Sequence, residues 1–153
     1  ILDPRHKDMP FRYLINKYNK NLLYDKDAEY VKSRMKLCIS EGPKEILRGE
    51  ALPLDYWMDK TNQVSFNKGC FIGQEVTARV FHRNKIRRRL IVVECSQIEF
   101  SNENLPKNFK YINKIADYLL LLAPVDFIRE FEKIRMKSEI ELCNKKYNFY
   151  YYH

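Results

Sequence analysis

The segment from Asn67 to Arg79, with the sequence NKGCFIGQEVTAR, decides how this chain is interpreted. Two of the chain's four glycines, Gly69 and Gly73, lie in this segment on either side of Cys70. Glycine is typical of positions where the backbone takes a positive φ or where another group must come close. The preceding Val64–Phe66 predicts a short strand, and a helix is predicted to begin at Gly73. We therefore expect Cys70 on a tight connection between a strand and a helix.

The chemistry of this segment centres on the thiol of Cys70. A helix N-terminus presents free N–H groups and a partial positive charge, and Lys68 adds a full one. Such a field favours the thiolate, which attacks electrophiles and binds metals. In the first helical turn, Gln74 and Glu75 brace the loop or face a partner, and Arg79 is expected to pair with an acid such as Glu75. Cys70 is thus predicted to be the reactive or ligating thiol, with Lys68 as its charge partner and the two glycines shaping the turn.

The run from Lys68 to Glu75, followed by Ala78-Arg79, resembles the signature of the YgfZ family, which is described as folate-binding and is similar to aminomethyltransferases. The Asp3-Pro4-Arg5 tripeptide also resembles the family, and so does the segment around Tyr30. The resemblance extends from about residue 3 to residue 92. It implies the activity of the mitochondrial members: late assembly of 4Fe–4S clusters in the mitochondrial matrix, together with A-type carrier proteins. It also implies an assembly factor rather than an enzyme.

The resemblance further implies which groups the signature handles. One thiol cannot hold a 4Fe–4S cluster, because such clusters take about four cysteine ligands. If Cys70 binds iron, a partner must therefore supply the other ligands of a transient, shared cluster; alternatively, Cys70 resolves a sulfur or disulfide species on the carrier. No resident metal site is expected. Tetrahydrofolate is the other implied cofactor, and whether it binds is left open. The residues that would contact a cofactor are Gly69, Gly73, Gln74, Glu75 and Arg79.

The expected fold is α+β. Residues 1–84 are predicted to form the later half of a YgfZ-type α/β domain, and residues 85–153 a small β-rich, barrel-like C-terminal module. Helices are expected over residues 25–38 and after Pro124, and strands over residues 85–95 and 117–123. Because the last 58 residues contain no glycine, the turns there are expected to use asparagine, which tolerates left-handed conformations. The candidates are Asn102, Asn104, Asn108, Asn113 and Asn144.

Four residues bear on local structure, because they either depart from the family pattern or match it. Cys38 stands where the family has glycine, so we expect helix 25–38 to end differently. Trp57 stands where the family has asparagine, and we expect it to fill the core. Asp3 and Arg5 are expected to form a structural ion pair.

Composition adds a charge asymmetry. The net charge is +8, and residues 64–95 contribute seven basic groups against two acidic ones. A focused positive patch suits an anionic partner. The four cysteines are scattered without a Cys-x-x-Cys pair, which favours reduced thiols over a zinc site. The chain begins at Ile1, so we expect a fragment, and no apolar run is long enough to span a membrane.

Two alternatives remain at this level. A folate-dependent aminomethyltransferase would share the fold, but its signature usually carries aspartate where this chain has Cys70. A nucleic-acid-binding module would use the basic cluster and the many tyrosines. No recognised binding motif accompanies that cluster, so docking of a protein is the preferred interpretation. The basic residues concerned are Arg79, Arg83, Lys85, Arg87, Arg88 and Arg89.

Overall fold

The computed structural model describes residues 1–11, 27–69, 72–95, 105–134, 138–142 and 145–152. Its centre is one antiparallel sheet of five strands in the order β2-β3-β1-β5-β4. The strands are β1 (Arg88–Glu94), β2 (Lys110–Ile115), β3 (Tyr118–Pro124), β4 (Glu139–Leu142) and β5 (Lys145–Tyr150). The described strands form an open sheet. The α+β class is confirmed, and the barrel-like form expected for residues 85–153 is wrong for the described residues.

The two central strands are buried on both faces. In β1 the four residues from Leu90 to Val93 are fully buried, and the same holds for Leu119–Leu121 of β3. Since successive side chains of a strand point to opposite faces, such runs require a covering layer on each face of the sheet. The register pairs Leu90 with Leu122 and Val92 with Leu120. The predicted buried strands are therefore confirmed, with β1 beginning three residues later than expected.

Four helices and one 3₁₀ helix complete the described structure. They are α1 (Asp27–Lys36), α2 (Gly42–Glu45), the 3₁₀ helix Pro53–Tyr56, α3 (Gln74–His82) and α4 (Val125–Ile134). None of the helices within the described ranges is long and apolar enough to cross a membrane.

Helix α4 is held against the sheet by aromatic rings. Phe127 lies 5.0 Å from Phe109 and 5.4 Å from Phe149 of β5, measured between ring centroids, and Phe131 lies 4.9 Å from Phe149. Ile128 is 2% exposed. The amphipathic helix predicted after Pro124 is confirmed, although Pro124 itself ends β3 instead of lying in the first helical turn.

Helix α1 ends with a left-handed residue, the conformation for which glycine is usually used. The Ile39 N–H donates to the Arg34 carbonyl and the Cys38 N–H to that of Met35, each at 3.0 Å. This pattern requires a left-handed residue after the helix, and Cys38 supplies it with φ +52°. The prediction of a different helix end at Cys38 is therefore wrong.

Only one of the asparagines expected at turns is found in a left-handed conformation among the described residues. Asn108 has φ +72°, whereas Asn113 lies in β2 beside an irregularity in the pairing with β3. The tight turn between β2 and β3 uses Ala116, with φ +49°. Asn102, Asn104 and Asn144 lie outside the described residues.

The first half of the chain shares its core with the sheet. Met35, Cys38, Tyr56 and Trp57 belong to the same cluster of buried side chains as strands β1 and β3. The thiol of Cys38 donates to the Tyr150 carbonyl at 3.0 Å. The division into residues 1–84 and 85–153 stays a prediction.

Candidate functional site

Gly73 fixes the geometry at which the signature enters helix α3. It precedes the helix with φ +85° and ψ −8°, a left-handed conformation that costs other residues about 1 kcal/mol or more. A Cβ atom at this position would meet no neighbour, so the requirement is conformational and not one of space. Gly69 is exposed and its φ is outside the left-handed region. Of the two signature glycines, Gly73 is the one that the described backbone requires.

The signature lies on the surface on both sides of its cysteine. Lys68, Gly69, Ile72 and Gly73 are exposed. Cys70 lies outside the described residues, and so does Phe71. The role of Cys70 as a reactive thiol and that of Lys68 as its charge partner therefore stay predictions.

The first turn of α3 carries the ion pair expected from the sequence. Glu75 and Arg79 are one helical turn apart, and Arg79 donates from Nη2 to Oε1 of Glu75. An acid placed before a base in this spacing also agrees with the helix dipole. Both side chains are largely exposed, so the pair stabilises the helix by about 0.5 kcal/mol or less.

A groove of about 300 Å³ runs beside this turn. Its lining combines apolar side chains with Lys68 and Gln74, and includes Phe66, Ile72, Gly73 and Thr77. Ile72 is completely exposed, and Val76 is 61% exposed. Helix α3 has no buried residue, which is unusual for a helix beside a core. This surface suits a partner that covers apolar groups next to a positive charge.

Phe66 packs on helix α3 instead of belonging to a strand. Its ring stacks on that of Phe81 with 3.9 Å between centroids and 16° between planes, and His82 meets both rings edge-on. Val64 and Ser65 have no regular secondary structure and Phe66 lies in a bend, so the predicted strand Val64–Phe66 is wrong. The stacking explains the difference, because apolar side chains that would line a strand here face a helix. The sequence does not predict this aromatic cluster, because Phe66 and Phe81 are 15 positions apart and no periodic pattern connects them.

Trp57 lies in the core, as expected. It is 6% exposed, its indole N–H donates to the Leu90 carbonyl at 2.7 Å, and its φ is +59°. The Arg89 guanidinium carbon lies 4.3 Å from the centroid of its ring. Arg89 also pairs with Asp59 through two hydrogen bonds of 2.5 and 2.8 Å. The position where the family has asparagine thus offers no polar group to a ligand in this chain.

The Asp3-Pro4-Arg5 segment braces the fold. Arg5 donates to Asp3 from Nε at 2.9 Å and from Nη2 at 2.6 Å, and it also pairs with Glu41 at 2.5 Å. The Tyr30 hydroxyl donates to Glu41 at 2.6 Å. Burial raises the pKa of Glu41, but the hydrogen bonds from Tyr30 and Arg5 outweigh it and hold that pKa below its usual value. The predicted structural ion pair is confirmed.

Asp55 is a carboxylate with an unusual titration. It is the third residue of the 3₁₀ helix and is half-buried, and burial raises its pKa to about 6, although Arg88, Arg89 and Lys110 act in the opposite direction.

The two cysteines within the described ranges are structural. Cys38 and Cys95 are free thiols with 0% and 2% exposure. Burial raises the pKa of both, which disfavours the thiolate. Among the described residues no three His, Cys, Asp or Glu side chains come together as metal ligands.

The groove described beside the signature is small for tetrahydrofolate. Its 300 Å³ lies at the lower end of the range for small-molecule sites, about 300–1,000 Å³, whereas folate carries a pterin, an aminobenzoyl group and a glutamate. The binding of tetrahydrofolate stays a prediction.

Comparison with known proteins identifies related sequences. No family model matches the chain. Over 71 residues it is 49% identical to the mitochondrial iron–sulfur cluster assembly factor IBA57 homologue of Cryptococcus neoformans. The aligned segment covers 46% of this chain and 19% of that protein. The IBA57 homologue of Neurospora crassa is 39% identical over 96 residues, 60% of this chain and 22% of its own. This chain is related to the IBA57 proteins.

A third IBA57 homologue, from Dictyostelium discoideum, is 36% identical over 105 residues, 63% of this chain and 26% of its own length. The matches thus span about a fifth to a quarter of the IBA57 relatives. They confirm the resemblance drawn from the signature, since the three relatives carry the name of the family members it implied. None of the three is named as an aminomethyltransferase or as a nucleic-acid-binding protein, so these alternatives are not favoured.

Proposed function

We propose that this protein assists the assembly of 4Fe–4S clusters in mitochondria and that it does so through Cys70. The observation that carries the proposal is its similarity to the IBA57 homologues, which are named mitochondrial iron–sulfur cluster assembly factors. The cluster is cargo, and it is not a resident group. One thiol supplies about a quarter of the ligands that such a cluster needs, so a partner holds the rest.

The burial of the two described thiols favours Cys70 over Cys38 and Cys95 as the residue that meets the cargo. Cys38 and Cys95 are buried, so a partner cannot reach them without unfolding the core. The residues on either side of Cys70 and Phe71 are exposed. A nearby positive charge on Lys68 favours the thiolate that iron requires.

The partner that we propose is an A-type carrier protein. The apolar groups that α3 exposes, Ile72 and Val76, suit the centre of a protein interface, and the charges around them suit its rim. In this arrangement Gln74 and Glu75 face the partner, while Glu75 also stabilises the first turn of α3 through Arg79.

The experiment mixes the protein with an A-type carrier loaded with a reconstituted cluster. Size-exclusion chromatography separates the two proteins from their complex. The cluster is followed by its absorbance at roughly 300–600 nm, where iron–sulfur charge transfer absorbs. A joint peak that carries the cluster is expected for the wild type and for Cys143→Ser. With Cys70→Ser the cluster is expected to stay in the carrier peak. A joint, cluster-bearing peak with Cys70→Ser would refute the role of Cys70.

A further inference from the structure

Three cationic side chains converge on a pocket of about 400 Å³ that lies away from the signature groove. Lys85 and Arg87 approach it from the segment that follows α3, and Arg129 from α4. Asp126 also lines the pocket and pairs with Arg129 at 3.4 Å. Three cations and one carboxylate leave the pocket with a formal charge of +2.

The backbone that presents Lys85 and Arg87 is fixed at both ends. After α3, the Asn84 N–H donates to the Phe81 carbonyl at 3.0 Å and the Lys85 N–H to that of Val80 at 2.9 Å, with Asn84 left-handed at φ +49°. At the other end, the Val125 N–H donates to the Arg87 carbonyl at 3.0 Å. The two cations therefore start from a preorganised backbone, which lowers the entropic cost of binding.

The three consecutive arginines have different surroundings. Arg89 is buried and paired with Asp59. Arg88 is close enough to Asp55 to lower the pKa of that carboxyl. Arg87, like Lys85, has no ion pair with a carboxylate among the described residues. Folding gains nothing from two such cations side by side, because like charges repel. Lys85 and Arg87 are therefore the two cations of the basic run that line this pocket without a carboxylate partner of their own among the described residues.

We propose that this pocket binds the phosphate group of a small molecule. A phosphate monoester carries a charge of about −1.5 to −2 at neutral pH, which matches the +2 of the pocket. Arginine forks bind phosphate oxygens in pairs, and lysine adds a point charge. Among the described residues, the apolar lining of the pocket consists of Ile86 and Val125, without an aromatic ring. The site therefore holds the phosphate, and the rest of the ligand extends into solvent.

The test titrates the full chain, labelled with ¹⁵N, with inorganic phosphate and in parallel with glycerol 3-phosphate, at constant ionic strength. The backbone amides of residues 84–87 and 125–129 report binding by NMR. We expect saturable shifts with a Kd of about 1 mM or below for at least one of the two probes. Tighter binding of glycerol 3-phosphate would identify an ester as the ligand, and tighter binding of inorganic phosphate the free ion. Succinate, a dianion without the tetrahedral geometry, is expected to bind several-fold more weakly.

The double variant Lys85→Gln/Arg87→Gln is expected to weaken the binding at least tenfold, since it removes two charge-assisted contacts. The double variant Arg48→Gln/Lys146→Gln removes the same charge from exposed positions outside the pocket and is expected to bind like the wild type. Asp126→Asn is expected to bind more tightly. Absence of saturation for both probes, equal binding of succinate, or equal weakening by the two double variants would each overturn the proposal.

Discussion

The indole N–H of Trp57 donates to the main-chain carbonyl of Leu90 at 2.7 Å, which fixes the segment after the 3₁₀ helix to the central strand β1. Together with the Arg89–Asp59 pair and the bond from the Cys38 thiol to the Tyr150 carbonyl, it joins the part of the chain that precedes the signature to the sheet that follows it. It also explains why a tryptophan stands where the family has a polar amide, because here the position belongs to the core.

Trp57→Asn is expected to lower the free energy of unfolding by about 3–5 kcal/mol, since it replaces a large buried ring with a short polar side chain. Trp57→Phe retains an aromatic ring but leaves the Leu90 carbonyl without its donor, and the expected cost is about 1–3 kcal/mol. Urea unfolding measures both. Unchanged stability of Trp57→Asn would mean that the position is solvent-facing, as expected for a ligand site.

The buried pair between Arg89 and Asp59 gives a second prediction. Asp59→Asn leaves the buried Arg89 charge without its partner, and we expect a loss of about 3–5 kcal/mol in the free energy of unfolding. The control is Glu75→Gln, which breaks an exposed pair and is expected to cost about 0.5 kcal/mol or less. Equal costs for the two variants in urea unfolding would contradict the burial described for Arg89.

Substitution of the two signature glycines tests which of them the backbone conformation requires. Gly73→Ala is expected to cost about 1–2 kcal/mol, because alanine must adopt the left-handed conformation at φ +85°. Gly69→Ala is expected to cost less, since no positive φ is needed there. Thermal unfolding measures the difference. If Gly69→Ala proves the more damaging variant, the turn has another geometry.

The pKa of Asp55 predicts a pH dependence of stability. Because burial raises this pKa from its ordinary value to about 6, the folded state binds a proton more tightly than the unfolded state. The resulting stabilisation is present below about pH 4 and is lost as the pH rises through about 6. Asp55→Asn is therefore expected to raise the melting temperature at pH 7.5 by a few degrees and to leave it nearly unchanged at pH 4. A variant that is destabilised at pH 7.5 would show that the ionised carboxylate is favourably paired.

Thiol labelling tests the different roles of the cysteines. Cys38 and Cys95 are expected to resist iodoacetamide in the folded protein and to react in urea, because both are buried and their pKa values are raised. Cys70 is expected to react in the folded protein. Mass spectrometry of the digested, labelled chain assigns each site, and rapid labelling of Cys38 in the native state would be incompatible with its position in the core.

The sequence predicted the elements whose signal is local. Unbroken apolar runs in the sequence predict strands β1 and β3. Amphipathic spacing with a helix start signal predicts α3 and α4. Pairings over long sequence distances were not predictable. The sequence of residues 64–66 predicts a strand, but in the structure Phe66 stacks on Phe81 of α3. The open form of the sheet depends on the pairing of β5 with β1.

The candidate site divides in the same way. The Glu75–Arg79 pair follows from helical spacing, and the need for a left-handed residue follows from Gly73 being a glycine. The pocket around Arg87 does not follow from the sequence, because Arg129 comes to it from a helix 42 positions further along the chain. The chemistry of Cys70 rests on the family resemblance, and it is the part that experiment must decide.

The measurement that tests the central claim most directly is rescue of a mitochondrial 4Fe–4S enzyme in cells depleted of this protein. Wild type, Cys70→Ser and Cys143→Ser are expressed at matched abundance, and the activity of a 4Fe–4S enzyme is compared with that of an enzyme that has no such cluster. We predict that the wild type and Cys143→Ser restore the 4Fe–4S activity, whereas Cys70→Ser does not. Full rescue by Cys70→Ser, or failure of the wild type to rescue, would contradict a thiol-dependent role in cluster assembly.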